Sequence, residues 1–411
     1  MRWITHIEGG PKRVNHAAVT VGHKIYSFGG YCTGESSRDY TSIDVHVLNT
    51  TTFRWTKHPV SDLPYLENDD IVPYKRYGHT AVVYKDKIYV WGGRNDQTSC
   101  AVLFCLDTRY HCWTAPQTTG DIPLARDGHT ACVWKHYMYI FGGFEEELDS
   151  FAKSIHVLDL NTMHWKYIHI TGIEPAVRDF HTAACIKDRM YIFGGRGTES
   201  RDSFYLPGKE IYCDELWYFD LRMHTWHNPY TVGTKPIGRR SHSAFVYNDK
   251  MYIFGGYNAL KLEHYNDLFE YDPILSKWTL LQPQGESPCN RRRQACIVVG
   301  DRVFLFGGTS PVAGAQQRQL NNIDEVLTDY SDMHILDFKP SLKTLCILAV
   351  HYNKLNLCSL PQSLKTDVEN MFAPNKIAII RPIPFIPSLK AGLGREEIRK
   401  HGFNKTTRCI R

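Results

Sequence analysis

Residues 239–256 read RRSHSAFVYNDKMYIFGG. An Arg, Arg239, stands three residues ahead of His242, and the pair Gly255-Gly256 begins thirteen residues after that His. The same spacing joins His16 to Gly29-Gly30, His79 to Gly92-Gly93, His129 to Gly142-Gly143 and His181 to Gly194-Gly195. In a sixth copy Gln294 replaces the His and Gly307-Gly308 closes the unit. Each copy carries its own preceding Arg, at Arg13, Arg76, Arg126, Arg178, Arg239 and Arg291. A Trp follows each of the first five pairs, at Trp55, Trp113, Trp165, Trp226 and Trp278. The length of 411 residues alone suggests several domains. A repeat overrides that expectation, because stacked units share one architecture.

One unit shows what is being repeated. HTACVWKHYMYIFGG (129–143) holds two alternating runs split near Lys135-His136, with IHVLDL (155–160) and MHWKYIHI (163–170) as a third and fourth. Alternation rich in β-branched and aromatic residues predicts strands. Four strands at a period of roughly 50 residues resemble the kelch repeat, whose blades circle a channel as a propeller. The fixed spacing then reflects hairpin register, since a one-residue slip turns every side chain over. The Gly-Gly pair falls where backbones crowd toward the axis, and glycine alone accepts positive φ without a Cβ penalty. The Trp suits packing between blades. The His is expected to bond a neighbouring loop, because several copies of one catalytic or metal-ligating His make no chemical sense. The sixth unit has ACIVVG, RVFLFGG and MHILDF but KPSLKTLC where its Trp strand is due. RWITHI (2–7), with Trp3, resembles the missing strand. The expected fold is therefore all-β: a six-bladed kelch β-propeller over residues 1–338, closed by an N-terminal strand that removes a free sheet edge.

Bulk properties exclude several classes. MRWITHIEGG has no apolar run of a signal peptide, and no stretch approaches the apolar length of a membrane span. Twelve Cys without CxxC pairs favour reduced thiols in cytosol or nucleus over a disulfide or zinc framework. The net charge is +5, but residues 373–411 hold nine Lys and Arg against two Glu, so about +7 lies there and about −2 elsewhere. The basicity describes a Pro-punctuated tail, expected to be mostly disordered, rather than a nucleic-acid-binding body. Neither an ordered metal-ligand cluster, a nucleophile motif nor a phosphate loop is evident. A non-catalytic protein without metal or cofactor is expected.

Beyond the ring, apolar residues at 342, 345, 346, 349 and 350 follow the i, i+3, i+4, i+7, i+8 pattern of one helix face, with Pro340 or Ser341 at its start. A second helix is predicted from Pro361, with Leu364, Val368, Met371 and Phe372 on one face and Ser359 as a candidate cap. Leu342-x-x-x-Cys346-x-x-x-Val350 is similar to the box by which substrate receptors dock on Elongin C. Leu360-Pro361-x-x-Leu364-x-x-x-Val368 is similar to the downstream box that selects Cullin-2. Propeller plus boxes, over roughly residues 1–372, resemble the kelch substrate receptors of Cullin-2 ubiquitin ligases. That resemblance implies a helical Elongin C/Cullin-2 box at 339–372, with Elongin B, Elongin C and Cullin-2 as partners. It also implies recognition of substrate proteins by their extreme C-terminus, commonly ending in Gly. Leu342 would anchor in a groove while small Cys346 permits close approach.

A free carboxylate wants a guanidinium fork plus further donors in a partly desolvated pocket. The relatives place an Arg directly after Gly-Gly and a second Arg five residues on. Arg196 and Arg201 match those positions. A hydroxyl that assists in the relatives is replaced by Arg240, with Ser241 following, and Arg292 occupies the matching place one blade on. Tyr31, Arg94, Asn95, Tyr257, Asn258 and Ser310, just after Gly-Gly pairs, are further candidates for channel-mouth contacts. The repeated Arg residues are expected to be scaffold. The competing function is a kelch scaffold in chromatin binding or meiotic recombination, with the basic tail touching nucleic acid electrostatically.

Overall fold

The computed structural model describes residues 1–35, 41–58, 72–198, 209–312 and 327–379. Six blades follow one another, each built on an antiparallel four-stranded meander running outward from its first strand, and three of them gain a short parallel fifth strand at the outer edge. Blade three shows the pattern: Thr130–Trp134, Tyr137–Phe141, Ile155–Asp159 and His164–Ile168, paired in that order. The first two strands turn at Lys135, which takes φ +58°. In blade six Ala295–Val299, Arg302–Phe306 and Met333–Asp337 are completed by Arg2–Ile7, paired antiparallel to Met333–Asp337. The first strand of each blade lies against that of the next, and Ala17–Val21 meets Ala295–Val299, so the ring is closed. This is the expected six-bladed propeller with its N-terminal clasp.

The repeat spacings now have partners. In every blade the aromatic residue just before Gly-Gly meets the Trp of the following blade. Phe28 packs on Trp113, Trp91 on Trp165 and Phe141 on Trp226, with ring centroids 4.9–5.9 Å apart. Phe193 meets Trp278 and Phe306 meets Trp55 at 5.3 and 5.0 Å. The sixth contact, Phe254 on Trp3 at 6.0 Å, uses the N-terminal strand and completes the circle. Such pairs contribute about 0.5–1.5 kcal/mol each beyond their area burial.

The glycines answer to the His column. A Cβ on Gly92 would lie 2.4 Å from Cε1 of His129, in the next blade, and one on Gly142 would lie 2.7 Å from Cε1 of His181. The second glycine of a pair abuts its own blade's His: a Cβ on Gly143 would sit 2.9 Å from the His129 Cβ. Both members take positive φ. The His bonds a neighbouring strand rather than the expected loop: His129, His181 and His242 share hydrogen bonds of 2.7–2.8 Å with Thr80, Thr130 and Thr182 on the first strand of the preceding blade. Burial pushes the pKa of His16, His79 and His242 down to about 3, so these rings stay neutral.

Two helices follow, α1 (Leu342–Tyr352) and α2 (Gln362–Phe372). Ser341 caps α1 by accepting from the Thr344 N–H. Ser359 does not cap α2; Pro361 holds the N-cap position and its carbonyl accepts from Leu364 and Lys365. Ile347 and Leu348 of α1 and Val368 and Met371 of α2 enter the core between blades six and one, with Ile4, Ile7, Phe53, Trp55 and Phe304. The helices therefore sit on the closure seam.

The basic segment does not begin as an independent tail. Asn375 is buried, its Oδ1 accepting from the Trp55 N–H and its N–H donating to the Glu8 carbonyl. Ala378–Ile379 adds a parallel strand to Arg54–Lys57 of blade one. Residues 373–379 thus belong to the propeller's edge. The expectation of disorder for the remainder concerns residues outside those described. Among the described residues the eleven cysteines are all free, and no helix is long and apolar enough to cross a membrane.

Candidate channel mouth and helical docking face

The mouth is built one residue at a time from the repeat. The residue after each repeated Arg pairs antiparallel with the residue after Gly-Gly: Val14 with Tyr31, Tyr77 with Arg94, Asp127 with Phe144, Asp179 with Arg196, Arg240 with Tyr257, and Arg292 with Thr309. The next residue along, Asn15, Gly78, Gly128, Phe180, Ser241 or Arg293, takes a positive φ of 49–68°. Its N–H donates to the carbonyl of its counterpart in the neighbouring blade. Six such bonds of 2.8–3.2 Å run Asn15, Arg293, Ser241, Phe180, Gly128, Gly78 and back to Asn15. The circle narrows the channel over an axial cavity of about 150 Å³ lined by these residues and the His column.

Below this rim the repeated Arg residues are scaffold, as expected. Arg76, Arg126, Arg178, Arg239 and Arg291 are at most 1% exposed. Each donates to the carbonyl of its own blade's first glycine at 3.0–3.4 Å. Arg291 also grips Asp332 through two bonds of 2.7 Å. Arg13 instead bonds Asp44 at 2.6 Å and Glu35 at 3.2 Å.

At the rim itself the structure gathers a different set of cations. Arg196, 30% exposed, forms a fork on the buried carboxylate of Asp179. The Arg292 guanidinium lies 4.2 Å over the Tyr257 ring, and that of Arg240 stands 5.9–6.0 Å from the rings of Tyr212 and Tyr257. Arg293, a residue not singled out from the sequence, donates to the Tyr31 hydroxyl. Its column, two places after the repeated Arg, is the signal that would have found it. Arg94 bonds Glu146 at 3.0 Å. Two acids share this rim. Burial raises Asp127 to about 6, with Asp179 and Glu146 adding to the shift and Arg94 and Arg196 opposing it. Burial likewise raises Asp179, against the pull of Arg196.

Some expected contacts are used elsewhere. Asn95 is fully buried, and its Oδ1 accepts from the Gln97 and Thr98 N–H groups at 2.9 and 2.8 Å. Asn258 donates to the Gly238 carbonyl at 2.7 Å and accepts from the Lys261 N–H. Ser310 is buried against the Tyr330 hydroxyl, 2.6 Å away. All three shape loops, so they are withdrawn as mouth contacts. Ser241 is 8% exposed and lines the axial cavity, with its hydroxyl unbonded. Tyr31 packs edge-on against Tyr77. Arg201 lies outside the described residues.

The helices present a second surface. While Ile347 and Leu348 point inward, Leu342 is 77% and Leu345 40% exposed, Cys346 and Ala349 are exposed, and Val350 is half-buried. The apolar stripe read from the sequence is thus the outward face of α1. On α2, Pro361 is exposed and Leu360 and Leu364 are half-buried. Val368 is 8% exposed within the core and is removed from the set of partner contacts. Arg54 fixes α2 by donating to the Glu369 and Ala373 carbonyls at 2.7 and 3.0 Å.

Human Kelch domain-containing protein 3 is 46% identical over 384 residues, which cover 93% of this chain and 98% of that protein. The chain belongs to the kelch-repeat family. The bovine Kelch domain-containing protein 3 matches to the same extent. Human host cell factor 2 is 28% identical over 257 residues, 59% of this chain and 32% of that protein. The family model of the KLHDC2/KLHL20/DRC7 Kelch-repeats domain matches residues 15–147 and 78–308. The kelch columns account for the buried Arg, His, Gly and Trp residues. They leave Arg196, Arg240, Arg292 and Arg293 as departures from the repeat, of which Arg293 lines the axial cavity.

Proposed function

We propose that this kelch protein is a non-catalytic substrate receptor of a Cullin-2 ubiquitin ligase, binding protein C-termini at the channel mouth and Elongin C through α1. The observation that carries the reading is the outward stripe Leu342, Leu345, Cys346 and Ala349 on a helix whose opposite face is anchored in the closure seam. Four apolar or small side chains in one exposed helical stripe are what helix-in-groove recognition requires. Elongin B and Cullin-2 complete the assembly, which performs the transfer chemistry in cytosol or nucleus. Mixing the full chain with purified Elongin B, Elongin C and Cullin-2 should give one stable complex in gel filtration. Separate elution of the chain would refute the reading.

At the mouth, the terminal carboxylate of a substrate meets guanidinium groups of Arg196, Arg240, Arg292 and Arg293. A terminal Gly lets the peptide backbone approach the rim without a side chain in the way. The acids give this binding a pH dependence. Asp127, raised to about 6, gains a proton as pH falls from 7.5 to 5, and the loss of its charge favours an anionic ligand. The ligand's own carboxyl, at about 3.3–3.7, stays ionised over that range. Binding should tighten a few-fold on acidification, and Asp127→Asn should bind tighter at pH 7.5 with a flattened profile. Titrations by fluorescence anisotropy at the two pH values check this. Linkage gives a matching stability effect. The folded-state pKa lies above the unfolded 3.8, so the stability that protonated Asp127 contributes is lost as pH rises toward and through 6. Asp127→Asn should therefore raise the melting temperature at pH 7.5 and leave it unchanged near pH 3.

A further inference from the structure

Ring closure brings together side chains that the sequence keeps at opposite ends of the propeller. Among the described residues, one group of His, Cys, Asp and Glu converges closely enough for a metal ion: His6, Asp332 and His334, with ligand atoms all within 4.8 Å of one another. His6 comes from the N-terminal strand of blade six and His334 from its neighbour, where the two are direct cross-strand partners. His334 Nε2 is 3.1 Å and His6 Nε2 3.8 Å from Oδ2 of Asp332. A fourth donor, Oε1 of Glu8, stands 2.9 Å from His6 Nε2.

We propose that this cluster is a binding site for a divalent transition ion of the zinc class, which would bolt the N-terminal strand onto the last blade. Zinc with bonds of about 2.0–2.2 Å holds tetrahedral ligands roughly 3.3–3.6 Å apart. The observed separations bracket that spacing, and two imidazoles with carboxylate oxygens form a donor set suited to such ions. Arg291 fixes the carboxylate's orientation through both oxygens, the outer support usual around metal ligands, while competing for its charge. The His6 and His334 rings now stack, 4.4 Å apart and 10° from parallel. Ligation therefore requires His6 to rotate so that its lone pair meets that of His334. Its side chain is 38% exposed and has room to do so, whereas Asp332 and His334, at 5% and 4%, are held in place. Nothing in the repeat marks this site, because only the sixth blade is made from both ends of the chain.

The test uses the full chain stripped with a chelator and titrated with zinc chloride in equilibrium dialysis, alongside His6→Ala and the bulkier His6→Gln. His6 is partly exposed, so both variants should retain the melting temperature of the stripped parent. The expected result is zinc retained at one ion per chain, with at least tenfold weaker binding in both variants. A rise in melting temperature on adding zinc should appear in the parent alone. Absence of stoichiometric zinc in the parent, or zinc binding unchanged by both His6 substitutions, would overturn the site. Neither outcome bears on Elongin C docking or peptide binding.

Discussion

Replacing Leu342 by Ala together with Cys346 by Phe should abolish co-purification with Elongin B, Elongin C and Cullin-2 while leaving the chain folded. Leu342 is 77% exposed and Cys346 is exposed, so neither change should move stability by more than about 0.5 kcal/mol. If Leu342 fills a groove on the partner, its truncation removes a hot-spot contact of about 2–4 kcal/mol, a loss of roughly 30- to 700-fold in affinity. Phe at 346 adds bulk where the helices must approach closely. A contrasting variant, Ile347→Ala, acts on the other face. Ile347 is buried in the seam, and its truncation should cost about 2–5 kcal/mol of folding stability without deleting a partner contact. Retained co-purification of the double variant would mean that the exposed stripe serves something else.

Trp3→Ala should produce the largest loss of stability. Trp3 is 4% exposed and packs with Phe245, Tyr252, Phe254, Val303, Leu305 and Leu336, and truncating such a Trp costs about 3–5 kcal/mol. That corresponds to a fall in melting temperature on the order of 6–10 °C. The position adds a signature that a Trp inside an ordinary blade would lack. The strand Arg2–Ile7 joins blade six to the start of the chain, and Ile4 and Ile7 share a core with Trp55 and both helices. Amide exchange should therefore accelerate together in blade six, in Arg54–Lys57 of blade one and in α2. Trp226→Ala, equally an inter-blade Trp, should disturb blades three and four alone. Exchange confined to blades five and six, which Trp3 joins, would show after Trp3→Ala that the clasp is not what ties the ends together.

The fold was legible because its constraints are local and repeated. A hairpin of fixed register sets the thirteen residues between His129 and Gly142, and positive φ plus a neighbour's imidazole demands the glycines. Trp3 could be recognised as the sixth Trp because five others showed what was missing. The mouth was less legible. Asn95, Asn258 and Ser310 look like exposed loop polars in a string of letters, yet the loops need them to satisfy their own backbone and hydroxyl groups. Arg293 looks like one of three consecutive arginines until the axial circle of hydrogen bonds assigns it to the column of Asn15, Gly78 and Phe180. Helical spacing identified an apolar stripe on α1 but not its direction. Ile347 and Leu348 turn inward, and only the seam between blades six and one decides that. The same spacing set Val368 on a docking face that the core claims instead.

The central claim is that the rim cations hold a free C-terminal carboxylate. The most direct measurement compares, on the full chain, the affinity of one Gly-ended peptide with that of its C-terminally amidated form. The acid should bind and the amide should fail to, because hydrogen bonds to a charged acceptor contribute about 1.5–3 kcal/mol each and amidation removes that charge. Equal affinities would contradict a carboxylate-binding mouth, whatever the helices dock upon.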